Sequence, residues 1–191
     1  MKAKRRTVVI GVDAGSESSG VVIILDGSIS FTGNIPNPEV FELIRQYQQI
    51  EYKLRVVIED VAAYSMRISS QIIETCKWLG EWRYRLKTTR IAFRMVVRSK
   101  VKTWIFLEYA QLVIPMVEEK IIKRHTVKAD GSYYKASHMF VDDKIIVKVM
   151  EHRWAVECRK EGRSKVNQYG LKDHSWQALA VATMYLDKKG L

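Results

Sequence analysis

The stretch V-V-I-G-V-D-A-G-S-E-S-S-G-V-V-I-I-L-D-G, residues 8–27, decides the fold. It holds two β-branched apolar runs, 8–12 and 21–25, and the first ends in a carboxylate, Asp13. A continuous apolar run suits a central strand covered on both faces. Asp26-Gly27 ahead of Ser28-Ile29-Ser30-Phe31 is a hairpin turn signal, so the chain opens with three antiparallel strands. A buried strand gains nothing by ending in a charge unless something positive meets it. Gly15 and Gly20 keep the adjoining turn small enough for a bulky anion such as phosphate to approach the backbone.

Downstream, Pro36 and Pro38 punctuate the chain, and Val40, Leu43, Ile44 and Tyr47 predict an amphipathic helix over 39–49. Residues 55–59, R-V-V-I-E, form a fourth strand that again ends in a carboxylate, Glu59. Ile72, Cys76, Leu79 and Leu86 predict a long helix over 69–87, and 91–97 reads as a fifth strand. Ser99 can cap one helix running through Val101, Trp104, Ile105 and Leu112 to Pro115. The basic, aromatic segment 118–141 has Asp130-Gly131 at a turn position and reads as a hairpin insertion. A helix over 142–157, a loop over 159–170 and a last helix over 173–186 follow. With no repeat and no linker, residues 1–191 read as one mixed α/β domain, a single sheet flanked by helices.

Lysine and arginine exceed aspartate and glutamate by 32 − 21 = 11. That excess favours a polyanionic partner, of which nucleic acid is the commonest. Cys76 and Cys158 lie far apart without metal-site or disulfide-framework spacing, which fits a reducing cytoplasm. No apolar run is long enough to cross a bilayer, and no signal-peptide pattern precedes the first strand. The expectation is a soluble, cytoplasmic protein with no membrane partner.

If the fourth strand pairs beside the first, Asp13 and Glu59 meet at one rim of the sheet. Two acids so placed repel, and a hard divalent cation with oxygen ligands is their natural counterpart. The third piece is G-L-K-D-H-S-W-Q-A-L-A-V-A, residues 170–182. Asp173 opens that helix, His174 and Gln177 fall three apart on one face, and Ala178, Ala180 and Ala182 are small enough to let it lie close on the sheet.

A strand ending D-A-G-S-x-x-S-G, a hairpin, a fourth strand ending I-E and a last helix opening H-S-W-Q-A-L-A-V-A together resemble the RuvC-like Holliday junction resolvases of the RNase H-like superfamily. Phage-encoded members look closest, because R-S-K-V-K at 98–102 and D-D-K-I-I at 142–146 are similar to theirs. The resemblance implies an RNase H-like five-stranded mixed sheet whose first three strands are antiparallel. It implies two-metal hydrolysis of DNA phosphodiesters by a homodimer on four-way junctions, with two Mg²⁺ ions about 4 Å apart and Mn²⁺ as substitute. Asp13 takes the place of the family's first-strand aspartate and Glu59 that of its fourth-strand glutamate. His174 and Gln177 take the places of an aspartate or histidine followed three residues later by an aspartate. Gln177 departs from that pattern, which makes Asp173 the substitute ligand and Asp142 or Asp143 more remote ones. His174 is either a ligand or a general acid or base.

For DNA contact the expected residues are Arg98, Lys100 and Lys102 after the fifth strand, with Arg94 near them. Tyr64 and Arg67 follow Glu59, and Arg124, Lys128 and Tyr133 lie in the basic insertion, where flat rings can stack on exposed bases. A branched-DNA-binding protein of the same fold without catalytic power is the alternative, marked by Gln177. A phosphotransferase of the actin and sugar-kinase type would need a second nucleotide-binding half, for which 191 residues leave no room. The nuclease reading demands that Asp13 and Glu59 lie within a metal's reach of each other and that neither be buried against an arginine.

Overall fold

The computed structural model describes residues 6–49, 53–61, 69–123, 128, 131–132, 134–156, 158–161 and 164–190, with the backbone alone described over 158–161 and 164–166. The chain opens with β1 (Thr7–Asp13), β2 (Ser18–Leu25) and β3 (Ser28–Pro36), then α1 (Asn37–Gln49), β4 (Lys53–Asp60), α2 (Ser70–Thr88) and β5 (Phe93–Val97). Next come α3 (Arg98–Glu108), α4 (Ala110–Lys123), a single 3₁₀ turn (His138–Phe140), α5 (Asp143–Arg153), β6 (Cys158–Glu161), β7 (Ser164–Asn167) and α6 (His174–Lys189).

The main sheet has five strands in the order β3-β2-β1-β4-β5. β1 and β3 run antiparallel to β2, whereas β4 runs parallel to β1 and to β5. This is the RNase H-like sheet that the sequence implies. Alternation along the central strands divides the core in two. Val8, Ile10, Val12 and Ile58 pack under α1 and α2 with Trp82 and Leu86. Val9, Val22, Ile24 and Val57 face the other way, under α3 to α6. Gly11, Asp13 and Glu59 share that second face by the same period of two.

Helix α6 carries ten consecutive buried residues, Ser175 to Met184, because it lies directly on β1 and β2. Two glycines make this possible. A Cβ on Gly11 would stand 2.2 Å from the Ala178 carbonyl oxygen and 2.8 Å from the Ala182 Cβ. One on Gly20 would stand 2.3 Å from the backbone of His174. Because Gly20 is the register partner of Asp13, the same contact seats the first turn of α6 over the end of β1.

Three elements differ from the sequence reading. The helix expected to run unbroken from Ser99 to Pro115 breaks at Tyr109 (φ −116°, ψ 32°), and Pro115 lies inside α4. The ring of Tyr109 meets that of Trp104 edge-on at 5.5 Å, and the break turns Val113, Val117 and Ile121 into the same core cluster as Val101 and Ile105. The loop read over 159–170 contains the antiparallel pair β6–β7. Helix α5 ends at Arg153 rather than 157, closed by Trp154 N–H donating to the Met150 carbonyl. Of the basic insertion read over 118–141, residues 118–123 belong to α4, Lys128 N–H donates to the Ser132 carbonyl at 2.7 Å, and residues 124–127, 129–130 and 133, on which the hairpin reading rests, lie outside the described residues.

Replacing Gly11 by alanine drives a methyl group into the backbone of α6. Overpacking at a site walled by backbone is expected to cost about 3 kcal/mol, and thermal denaturation should read it as a Tm lowered by about 10 °C. An unchanged Tm would mean that α6 can lift off the sheet without penalty.

Candidate active site

Strand register alone brings the first two acids together. Asp13 and Glu59 are Cα partners at the ends of parallel β1 and β4, on strands spaced about 4.8 Å apart. Both are nearly enclosed, at 5% and 6% exposure. Burial first, and then the charge of Asp13, lift the Glu59 carboxyl to about 7, against the opposing pull of Arg98.

His174, the first residue of α6, is held on the other side of Asp13. Its Nδ1 lies 2.7 Å from Asp13 Oδ2, and since a carboxylate only accepts, Nδ1 carries the proton. That bond, ahead of the opposing effect of burial, raises the imidazole pKa. With the side chain 52% exposed, Nε2 is left facing the cleft beside the Gly15 turn. The turn itself is fixed by a closed ring of hydrogen bonds. Gly15 N–H donates to Ser19 Oγ (3.2 Å), the Ser19 hydroxyl donates to Asn37 Oδ1 (2.6 Å), and Asn37 Nδ2 donates back to the Gly15 carbonyl (3.0 Å). Ser19 and Asn37 are wholly buried, so the backbone that follows Asp13 has little freedom.

Asp173 occupies the N-cap position of α6 but makes no capping bond, and its backbone (φ 44°, ψ −122°) lies in a region normally left to glycine. The carboxylate lines the cleft with Asp13 and His174. The doublet Asp142-Asp143 divides its work. Asp142 caps α5 by accepting from Ile145 N–H (3.1 Å) and pairs with Lys120 (2.8 Å). Asp143, the more remote candidate in the sequence, turns into the cleft and pairs with Arg98. Gln177 is 6% exposed and lines the same cleft.

Arg98 corrects the simplest expectation. Rather than standing outside the site as a phosphate contact alone, it spans it, with Nη1 2.9 Å from Glu59 Oε1 and Nη2 on Asp143. The physical reason is its position as the first residue of α3. Val96 of β5 is the register partner of Glu59, so the chain enters α3 immediately past the buried carboxylate. Burial works against the guanidinium's charge, but Glu59 and then Asp143 outweigh it and hold its pKa above the usual value. The condition that neither strand-end carboxylate meet an arginine therefore holds for Asp13 and fails for Glu59, so a nuclease reading stands only where a divalent ion would displace Arg98 from Glu59.

Two adjoining clefts, of about 340 Å³ and 730 Å³, share Asp13, Arg98 and His174. The larger also takes in Lys102, whose pKa is lowered by burial and by the Arg98 charge, together with His138 and the exposed Met139. Lys100 points to the exterior from the first turn of α3, and Lys128 is exposed in its turn. Tyr64, Arg67, Arg124 and Tyr133 lie outside the described residues. Sequence reasoning missed Asn37, and it missed that Arg98 and Asp143 act as a pair. Only the doublet gave a signal: one of two adjacent acids at a helix start caps the helix, and its neighbour is left to face the cleft.

Among the described residues no three histidine, cysteine or acidic side chains converge into a ready-formed metal cage. The donor chemistry nevertheless fits a hard divalent ion. Asp13 and Glu59 are buried oxygen donors in register, the carboxylate chemistry that such an ion prefers.

The chain is similar to the solved structure of Thermus thermophilus RuvC, at a TM-score of 0.56 and 12% identity, over 96% of this chain and 97% of that one. It is also similar to T. thermophilus RuvC in complex with a Holliday junction substrate, at a TM-score of 0.53 and 11% identity over 96% of each chain. At such identities the likeness is one of fold. No protein-family model and no curated protein sequence matches the chain.

In metal-free buffer the site should reveal itself through pH. A carboxyl whose folded pKa exceeds its unfolded value stabilises the fold fully below the unfolded value and loses that contribution as pH rises through the folded one. For Glu59 the window runs from 4.5 to about 7. Across it, Glu59→Gln is expected to gain in Tm relative to wild type, read by thermal denaturation at a series of pH values. His174, also raised, loses its stabilising contribution as pH climbs through its folded value, and His174→Gln should remove that loss. A constant difference between wild type and Glu59→Gln across the window would show that Glu59 is not strained by its neighbour.

Proposed function

We propose that this protein is a metal-dependent endonuclease that resolves four-way DNA junctions by paired hydrolysis of phosphodiesters. The observation that carries the reading is the meeting of Asp13 and Glu59 in register at one corner of a RuvC-like sheet, with His174 bonded to the first of them. The net charge of +11 supports a nucleic-acid substrate. Mg²⁺, or Mn²⁺ in its place, held by Asp13 and Glu59 with Asp143, Asp173 or His174, would lower the pKa of an attacking water and stabilise the leaving 3′ oxygen.

The residues themselves do the rest. His174 keeps its Nδ1 proton on Asp13, which leaves Nε2 free to ligate or to accept a proton from water. Arg98 is the chain's own counter-ion for Glu59 and Asp143. Its side chain is 35% exposed on a long stem, so it can pass from Glu59 to a substrate phosphate when a divalent ion takes over the carboxylate. Lys102, half-buried in the same cleft, adds a second cation beside the scissile phosphate, and Lys100 meets the flanking backbone. Tyr64, Arg67, Arg124, Lys128 and Tyr133 are assigned to the DNA beyond the cleft. The product is a 5′-phosphate nick made symmetrically in two strands by a homodimer, in the cytoplasm of a bacterial cell or of the host of a phage. Among the described residues no helix is long and apolar enough to cross a membrane.

A second reading keeps the fold and the branched-DNA binding but not the chemistry. Two observations favour it: Glu59 is engaged by Arg98, and Gln177 brings no charge to the last helix. A synthetic four-way junction separates the two. Cutting in Mg²⁺ or Mn²⁺ is expected; a protein that retards the junction on a gel and never cuts it in either ion is the binding protein.

Asp13→Asn is expected to abolish cutting, at least about 10³-fold by the scale of lost metal chemistry, while junction affinity stays within a few-fold because it comes from the basic surface. Cleavage by that variant would remove Asp13 from the site. Asp173→Asn should reduce the rate more than Gln177→Ala, and the reverse order would return the last-helix role to Gln177. Asp143→Asn tests the partner of Arg98 in the same assay, with a loss of rate expected and an unchanged rate excluding it.

A further inference from the structure

The arginines of this protein fall into two groups. Arg6, Arg45, Arg85, Arg98 and Arg153 each pair with a carboxylate. Among the described residues Arg55, Arg83, Arg90 and Arg94 pair with none, and all of these but Arg83 gather at the end of the sheet remote from Asp13. There Lys53, Arg55 and Arg90 line a cleft of about 510 Å³, and Arg55, Arg94 and Lys189 line its neighbour of about 370 Å³. No acidic residue lines either one among the described residues. Three of the four described arginines without a carboxylate partner thus stand together at one end of the sheet, where their charge is left to be met from outside.

Arg90 adds an independent sign. It stands just past the end of α2, where Arg90 N–H donates to the Lys87 carbonyl (3.1 Å) and Ile91 N–H to the Leu86 carbonyl (3.0 Å). That is a Schellman ending, whose left-handed position is usually glycine, and here arginine holds it at φ 56°. A cation kept in glycine's conformation points to a use for its charge.

The placement names the ligand. Helix α6 starts at His174 in the site and ends at Lys189 in the remote cleft, about 22 Å away at 1.5 Å per residue. The outer strand β5 covers about 13 Å of that interval, with Arg90 before it, exposed Arg94 on it and Arg98 after it. From these observations we infer that a duplex arm leaving the active site runs along the β5 edge, that Arg94 and Arg55 meet its phosphates on the way, about two and four residues short of the Glu59 level, and that Lys53, Arg90 and Lys189 hold phosphates about six base pairs from the branch point at 3.4 Å per pair. This inference rests on the DNA-junction reading above. Two neighbouring clefts lined by five cations and no acid suit a phosphate backbone better than a protein surface, whose charges come in both signs.

The test uses the full chain and a four-way junction carrying neutral methylphosphonate links either beside the branch point or about six pairs out. The double variant Arg90→Gly/Arg94→Gln is compared with wild type. Arg90→Gly alone should hold or raise Tm, because it returns glycine to its usual place, and this guards against misfolding. Removing two arginine–phosphate pairs should lower the slope of log Kd against log salt by about 2 and weaken binding on the order of tenfold at about 0.15 M salt. Distal methylphosphonates should weaken wild type more than the variant, which keeps only Lys53 and Lys189 there, whereas links beside the branch point should weaken both equally. Equal affinity and slope in wild type and variant, or distal links without effect on wild type, would overturn the inference. Poly-glutamate serves as the competing probe: if the variant no longer binds it while DNA binding is unchanged, the surface belongs to an acidic protein instead. If wild type does not prefer the junction to linear duplex, the junction reading fails, and the phosphate contacts are then read on linear duplex with links at the same spacing.

Discussion

Two like charges buried side by side govern this structure. The parallel pairing of β1 with β4 makes neighbours of Asp13 and Glu59 where little water reaches either. Such a pair is tolerable only if positive charge is brought to it or one acid keeps its proton. The fold does some of each. His174 is carried to Asp13 by the last helix, Arg98 is delivered to Glu59 by the chain leaving β5, and Glu59 still titrates near neutrality. The surrounding features, from the small residues under α6 to the ring through Asn37, serve to keep these groups within reach of one another.

The placement of the cations matters as much as their number. His174 is fixed by backbone, since Gly20 admits the first turn of α6 and nothing larger would. Arg98 is fixed only by its two carboxylates and sits at the end of a long, partly exposed side chain. One positive group is therefore part of the framework and the other is exchangeable.

Much of this was legible in the amino-acid sequence, for reasons that can be traced. Unbroken β-branched runs identify central strands, and a carboxylate that terminates such a run is conspicuous, so Asp13, Glu59 and the three opening antiparallel strands could be read directly, whereas the pairing of the fourth strand beside the first came only with the fold. Alanines at 178, 180 and 182 announced the close approach of α6. What escaped depends on tertiary neighbours with no signature along the chain. The Arg98 pairing arises because the starts of α3 and α5 converge, although 45 residues separate Arg98 from Asp143. The turn at Tyr109 answers to packing against Trp104, which outweighs the more obvious signal of Pro115. Asn37 looked like part of a proline-flanked bend, and only its burial beside Ser19 reveals that it restrains the loop after Asp13.

The position of α6 in the chain also bears on synthesis. The helix that covers β1 and β2 and supplies His174 follows every other described element along the chain, whereas Asp13 closes the first of them. A nascent chain thus has both strand-end acids in place while the groove above them stays open, and its apolar floor awaits a cover that arrives only with residues 174–189. Until then the two strand-end acids stand without the imidazole that the finished fold sets 2.7 Å from Asp13, so a partial chain holds only part of the cleft.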